Sequence, residues 1–398
     1  MGYHFYKDLD FNFRVQCLVG GAPFGVAEPG EVFTALEQIR DKDDVQWFDA
    51  FDTLAGRIEA IADQALADGH KVSAREAYLR ASSYYAAAVD GLVSKPDSPL
   101  LLPTFRKHRE CWDKFAALTE PPMQAVEIPY EDTTLPGYFY AVDDSGTARP
   151  TIVLTNGSDG AITAVWDMAS AAHDRGYNVL LYDGPGQQSM LFERNTSFRP
   201  DWEAVVTPIV DYLLTRPDVD ADALVLSGIS QAGYWVPRTL AFEHRFAAAA
   251  ADPGVVDVST SWTGHLPKRI LAELDSGDRK HFDDNMAMAM KVSRDLRKTW
   301  WFRSRPYGSD DPFTVFSDVR KYTVRDVAGQ ISTPLFISSP EGEQFWPGQS
   351  EELAKLVGAH AHLVQFTAAE GADMHCEPMA RSLYHQRMFD WLDGQLGR

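Results

Sequence analysis

The sequence predicts an α/β fold: a mostly parallel central sheet with helices on both faces, preceded by a helical arm and interrupted by an inserted helical cap. Two observations carry this reading. After Pro121-Pro122 the chain alternates short apolar runs with helical stretches, the pattern of βαβ units in a parallel sheet covered on both sides. Ahead of that break, and again from Val255 to about Ser332, the alternation gives way to helix alone. The expected division is therefore an arm over 1–122 and a core over 123–398, with the cap inserted at about 255–332. A chain of 398 residues exceeds what one core usually fills, so an added unit is expected.

Taken in order, Glu31–Arg40 and Trp47–Ala55 place apolar residues at helical intervals. Ser73 followed by Glu76 reads as a capping box opening a further helix, and Leu101–Leu118 supplies another. Past the prolines, 126–130 and 137–142 read as two strands around the turn-prone Thr134-Leu-Pro-Gly137. Further strands are expected at 151–155, 178–183, 223–227, 247–251, 334–338 and 362–366. Helices are expected at 164–175, 202–215 and 232–244, and one after each of the last two strands. Within the cap, 281–301 reads as one helix containing Met286, Met288 and Met290. No internal repeat or low-complexity tract is visible.

Composition narrows the partners. Hydrophobic residues make up 45% and charged residues 24% of the chain, ordinary for a soluble enzyme. The net charge of −20 disfavours phosphate backbones and anionic lipid surfaces, so neither nucleic acid nor membrane is an expected partner. Cys17, Cys111 and Cys376 are odd in number and scattered, with no CxxC pair. Reduced thiols and no metal site are the expectation. The N-terminal residues lack the pattern of a signal peptide, Tyr6 breaks the myristoylation pattern, and no apolar run approaches a membrane span. A cytoplasmic location is expected.

The chemistry concentrates in Leu224-Val-Leu-Ser-Gly-Ile-Ser-Gln-Ala-Gly-Tyr234. A strand, then Gly228-x-Ser230-x-Ala232-Gly233, then a helix is the nucleophile elbow of α/β hydrolases. Small residues are needed two places either side of the serine because the turn is tight. The helix that follows aims its free N–H groups at the reaction centre, making the Gln231 amide an oxyanion donor. The alternative is a plain strand–helix turn with a capping serine. The partners should follow in the order serine, acid, histidine. His375, in the loop after the final strand, stands where the imidazole belongs; histidines ahead of Ser230 fail the order. For the acid, the loop after 334–338 offers Glu341 and Glu343, and Asp252 follows another strand. Position alone leaves the three open. Asn156-Gly-Ser-Asp-Gly160 is a glycine-rich turn after the first core strand, and the amide of Ser158 or Asp159 is the expected second oxyanion donor. Asp183-Gly-Pro-Gly-Gln-Gln-Ser189 lacks phosphate-loop spacing and reads as a structural turn.

Three segments resemble one family. Asp183–Ser189 is similar to the D-x-P-G-x-G-x-S turn of α/β hydrolases, with Gln188 in place of its second glycine. Gly228–Gly233 resembles the elbow. Gly69–Tyr85 resembles a helical arm segment of a narrower subfamily, that of 2,6-dihydroxypseudooxynicotine hydrolase and the fungal hydrolases that shorten polyketide pigment precursors. There the acid loop reads approximately D-x-E-N-D-x-F. Ser339-Pro-Glu-Gly-Glu-Gln-Phe345 aligns with it and puts Glu343 at the acid position, with Glu for the usual Asp. Asp159 falls where relatives carry an acidic residue, and it and Tyr234 are expected to contact substrate. The resemblance also implies a homodimer.

The resemblance implies cleavage of a carbon–carbon bond beside a ketone, or of an ester, in an aromatic or polyketide-like small molecule. No cofactor is called for. Two rivals stand beside it. An acyltransferase or cyclase would use the same triad with an amine or hydroxyl in place of water, and product analysis with an acceptor separates the two. A non-catalytic binding protein on the same scaffold would carry a broken triad. Dehalogenases and epoxide hydrolases need Asp at position 230 and are excluded.

Overall fold

A computed structural model describes residues 4–95 and 97–398. The arm contributes α1 (Leu9–Gly20), α2 (Pro29–Leu36), α3 (Asp44–Ala67), α4 (Lys71–Asp90) and α5 (Leu101–Ala117). The core opens with β1 (Gln124–Tyr130), β2 (Thr133–Tyr140) and β3 (Arg149–Thr155), followed by α6 (Trp166–His173), β4 (Asn178–Tyr182), α7 (Gln188–Phe192) and α8 (Glu203–Leu213). Next come β5 (Val219–Ile229), α9 (Ala232–Leu240) and β6 (Ala248–Asp252). The inserted segment folds as α10 (Thr260–Thr263), α11 (Lys268–Ser276), α12 (Arg279–Val292), α13 (Arg294–Ser304) and α14 (Pro312–Val319). The chain closes with β7 (Leu335–Pro340), α15 (Gln349–Val357), β8 (Ala361–Phe366) and α16 (Arg381–Leu396).

The eight strands form one sheet in the order β1-β2-β4-β3-β5-β6-β7-β8. The β1–β2 and β2–β4 pairs are antiparallel, and every pair from β4 onward is parallel. Strand side chains alternate between faces. Ile152, Leu154, Val179 and Leu181 belong to the core shared with the arm, α6 and α16. Val153, Leu180, Leu224 and Leu226 belong to the core shared with α8, α9, α15 and the inserted helices. Both faces are thus buried, which is why the central strands are continuously apolar.

Several local expectations need correction. The β1–β2 turn is Glu131-Asp132, with Glu131 at φ 47°; Thr134–Gly137 lies inside β2. Pro136 is tolerated there because pairing with β4 begins only at Gly137. Ser73 is not a cap: α4 starts at Lys71, directly after the left-handed turn at Gly69 (φ 84°). α3 is longer than expected, running for 24 residues from an Asp43 side chain that accepts the Gln46 amide at 3.1 Å. The expected helix 281–301 is two helices, separated where the Ser293 hydroxyl caps α13 at the Leu296 amide. α9 stops at Leu240, short of His244.

Arm, core and inserted helices are tied by polar contacts as well as packing. Arg109 of α5 pairs with the buried Asp183 at 2.9 Å, and Trp166 of α6 donates to the Phe24 carbonyl at 3.0 Å. Lys298 of α13 pairs with Asp44 of α3 at 2.6 Å, joining the inserted segment to the arm. Among the described residues no helix is long and apolar enough to cross a membrane.

Candidate active site

β5 ends at Ile229, and the chain reverses into α9 through Ser230, whose φ of 59° is left-handed. That conformation costs a residue with a side chain roughly 1–2 kcal/mol, so neighbouring contacts must enforce it. The Ser230 amide donates to the Asp252 carbonyl at 2.6 Å, and its carbonyl accepts from the Gly233 amide at 2.8 Å. A Cβ on Gly228 would fall 2.8 Å from the Ala232 methyl, and one on Gly233 would fall 1.8 Å from the Pro253 carbonyl oxygen. Both positions therefore need glycine.

The Ser230 hydroxyl lies 2.9 Å from Nε2 of His375, whose Nδ1 lies 2.8 Å from Oε2 of Glu343. A carboxylate only accepts, so Nδ1 carries the proton and Nε2 is free to accept from the serine. Glu343 sits in the β7–α15 loop, and its second oxygen accepts the Phe345 amide at 2.8 Å and the Trp346 amide at 3.2 Å. Burial works against its charge, but His375 and those two amides hold the carboxyl below its usual range. The rings of Phe345, Trp346 and Phe13 surround the imidazole at 4.7, 5.7 and 6.0 Å between centroids. The other two acid candidates are engaged elsewhere. Glu341 accepts the Ala368 amide, and Asp252 is paired with Arg381 at 2.9 Å.

Gly157 faces Ser230 across the site; a Cβ there would fall 2.8 Å from that of the serine. Its amide donates to the Asn156 side chain at 2.8 Å. Ser158 is then the next amide in this turn, and both it and Gln231 line the cavity. The Ser158 hydroxyl donates to the exposed Asp159 carboxylate at 3.1 Å. The Asp183–Ser189 turn has a role that its sequence alone did not reveal. Gln187 donates to the carbonyls of Asn156 and Gly157 at 2.7 and 2.9 Å, and Gln188 to that of Asp159 at 2.8 Å. Together they clamp the Asn156–Gly160 turn against the elbow. Its position at a strand end beside another strand-end turn was the available signal.

Tyr234 does not line the cavity over Ser230. It is fully buried, and its hydroxyl donates to the Pro200 carbonyl at 2.7 Å, behind the elbow. Asp159 does line the cavity. This cavity has a volume of about 430 Å³ and lies between the arm and the inserted helices, over Ser230 and His375. Phe13, Trp47, Phe192, Trp262, Phe302 and Trp346 make it largely aromatic, a surface suited to flat apolar ligands.

A second cluster, unanticipated from sequence, lies behind His375. Arg381 is buried and donates to Asp167 at 2.6 Å, to Asp252 at 2.9 Å and to the Cys376 carbonyl at 2.9 Å. Ser338 touches Asp252 at 2.8 Å and the fully buried Glu377 at 3.0 Å. Cys376 and Glu377, next to the imidazole in the chain, both have positive φ, at 58° and 42°. Burial and the neighbouring Asp252 push the Glu377 carboxyl well above its usual range, against the pull of Arg381.

No protein-family model matches the chain. Among curated proteins it is similar to the hydrolase LUC6 of a Fusarium species, with 30% identity over 97% of this chain and 96% of that one. It is also similar to the α/β hydrolase psoB of Aspergillus fumigatus, with 30% identity over 98% and 94% of the two chains. Among solved structures, 2,6-dihydroxy-pseudo-oxynicotine hydrolase superposes with a TM-score of 0.75 over 94% of both chains, at 22% identity.

Proposed function

Because the chain belongs to the α/β hydrolases, in the subfamily that holds 2,6-dihydroxypseudooxynicotine hydrolase and fungal hydrolases, we propose that it is a serine hydrolase that cleaves through an acyl-enzyme. The bond cut is a carbon–carbon bond beside a ketone, or an ester, in an aromatic or polyketide-like small molecule. The observation that carries this reading is the unbroken line from Glu343 through His375 to a left-handed Ser230 at the floor of an aromatic cavity.

His375 takes the serine proton as Oγ attacks the substrate carbonyl, and Glu343 keeps the ring oriented and stabilises its cation. The amides of Gln231 and Ser158 hold the oxyanion that forms. Water, deprotonated by His375, then releases the acid. The aromatic walls and the name of the structurally similar hydrolase support a flat, oxygenated aromatic substrate. The division into an arm at 1–122 and a core with a cap at about 255–332 supports the same reading, since residues from both added regions line the cavity.

The test is hydrolysis of a panel of p-nitrophenyl esters by the wild type and Ser230→Ala, with fluorophosphonate labelling followed by peptide mapping. Loss of the nucleophile is expected to lower kcat/KM by about 10⁴-fold or more, and the label is expected on Ser230. Turnover that survives Ser230→Ala, or a label found elsewhere, would falsify the serine mechanism.

A further inference from the structure

The peptide plane that carries the Ser158 amide is held from behind. In a trans peptide the carbonyl of one residue and the N–H of the next share a plane and point in opposite directions. The Ser158 amide therefore turns with the Gly157 carbonyl. Gly157 has room for no Cβ, since one would fall 2.8 Å from that of Ser230, and a glycine leaves the adjoining peptide free to rotate. Asn156 restrains the turn only on either side of this plane. Its side chain accepts the Gly157 amide at 2.8 Å and donates to the Gly160 and Ala161 carbonyls at 2.7 and 2.8 Å. The Gly157 carbonyl is held by Gln187 instead.

Gln187 is 2% exposed, and its side-chain amide is fully used. Nε2 gives its two protons to the Asn156 and Gly157 carbonyls, and Oε1 accepts the Gly184 amide at 2.7 Å. The turn that carries Gln187 is closed by Asp183, which accepts from the Ser189 amide and hydroxyl and is tied to the arm by Arg109. Among the described residues the amides of Ser158 and Gln231 have no acceptor, so both are left for a ligand oxygen.

We infer that Gln187 is the positioning residue of the oxyanion hole: by holding the Gly157 carbonyl it aims the Ser158 N–H at the oxygen of the tetrahedral intermediate. The inference rests on the serine-hydrolase reading and adds to it a residue outside the triad. Without the Gln187 donors the plane turns, and the N–H leaves the place where the oxyanion forms. A ground-state carbonyl bears no full charge and gains little from that aim, so the effect belongs to the transition state. Acylation and deacylation pass through the same oxyanion; both slow together, and KM moves little.

The test is Gln187→Met, which fills similar space with neither donor. On p-nitrophenyl acetate, kcat is expected to fall by about 30-fold with KM within about twofold of wild type. The loss stays below the roughly 10²- to 10³-fold that follows outright removal of an oxyanion donor, because the N–H is misaimed and not absent. The second readout is inhibition by benzyl trifluoromethyl ketone. Ser230 Oγ bonds to its carbonyl carbon, His375 takes the serine proton, and the carbonyl oxygen becomes the oxyanion of a hemiketal that has no leaving group. Its inhibition constant is expected to rise by about 30-fold in Gln187→Met, while that of benzyl methyl ketone, bound without an adduct, changes by less than about twofold. A loss carried by KM, unchanged inhibition by the trifluoromethyl ketone, or equal weakening of both ketones would each overturn the proposal. Should Gln187→Met fail to fold, Gln187→Glu carries the same comparison, since it keeps the acceptor for the Gly184 amide and loses both donors. Failure of the serine mechanism is seen separately, as ester turnover that survives Ser230→Ala.

Discussion

In front of His375, the elbow from Gly228 to Gly233 is held by close backbone contact, with glycines where any Cβ would collide. Behind it, the cluster is held by charge that joins Arg381 to Asp167 and Asp252, each more than a hundred positions away, and to Glu377 on the preceding turn. Both regions constrain residues with positive φ, Ser230 on one side and Cys376 and Glu377 on the other. They meet at Asp252, whose carbonyl accepts the Ser230 amide while its carboxylate pairs with Arg381. The difference teaches that one site can hold Ser230 by sterics and the loop of His375 by buried electrostatics. The two devices fail differently, because a steric device tolerates any pH and an ionic one does not.

The largest effect expected from this comparison is Arg381→Met. Three carboxyl groups in the cluster would lose the one guanidinium that they share. Leaving buried charge uncompensated costs about 3–5 kcal/mol. A denaturant titration should show a loss of that size, with kcat falling as the His375 loop loosens. A stability within about 1 kcal/mol of wild type would mean that the cluster is not what holds the loop.

The elbow was legible because its demands are local: Gly228, Ser230, Ala232 and Gly233 lie within one turn, and their sizes alone announce it. The strand alternation was legible for the same reason, through the burial of both sheet faces. His375 followed from chain order, while Glu343 was separated from Glu341 and Asp252 only by resemblance. The ionic cluster was not legible, since Asp167 and Arg381 look like ordinary charged helix residues until α6 and α16 are packed together. Tyr234 lies off the cavity lining, because a motif shows which residues are adjacent in the chain, not which way a side chain on α9 points. In the arm, the left-handed turn at Gly69 outweighed the apparent cap at Ser73, and the cap that does start α3, at Asp43, lies ahead of the apolar run read at Trp47–Ala55.

Glu377→Gln sharpens the comparison through pH. Ser338 carries one hydroxyl proton and touches both Asp252 and Glu377. It can donate to only one of them, so the cluster is best satisfied when Glu377 keeps its own proton. Its carboxyl is held above the ordinary value of 4.5 in the folded protein. A raised carboxyl contributes its stability in full below that ordinary value and loses it as pH rises towards the folded one. Glutamine mimics the protonated form at every pH. Melting temperatures should therefore favour Glu377→Gln increasingly as pH is raised from 4 to 9, by about 2–4 °C across the series. A difference that stays flat with pH would mean that Glu377 does not hold a proton in the folded state.

The smallest effect isolates the strain in the elbow. Ser230→Ala and Ser230→Gly both remove the hydroxyl and its bond to His375, so that loss cancels between them. What differs is the backbone, because alanine must still adopt a φ near 59° whereas glycine adopts it freely. The left-handed conformation costs alanine about 1–2 kcal/mol, and the extra freedom of glycine in the unfolded chain returns about 0.4–1 kcal/mol of that. Ser230→Gly should thus be the more stable of the two variants, by up to about 1.6 kcal/mol in denaturant titrations. If alanine proves equal or better, the elbow stores no strain at position 230, and the contacts of Gly228 and Gly233 determine its shape unaided. The pH series described for Glu377 should leave this difference unchanged, because no titrating group distinguishes the pair.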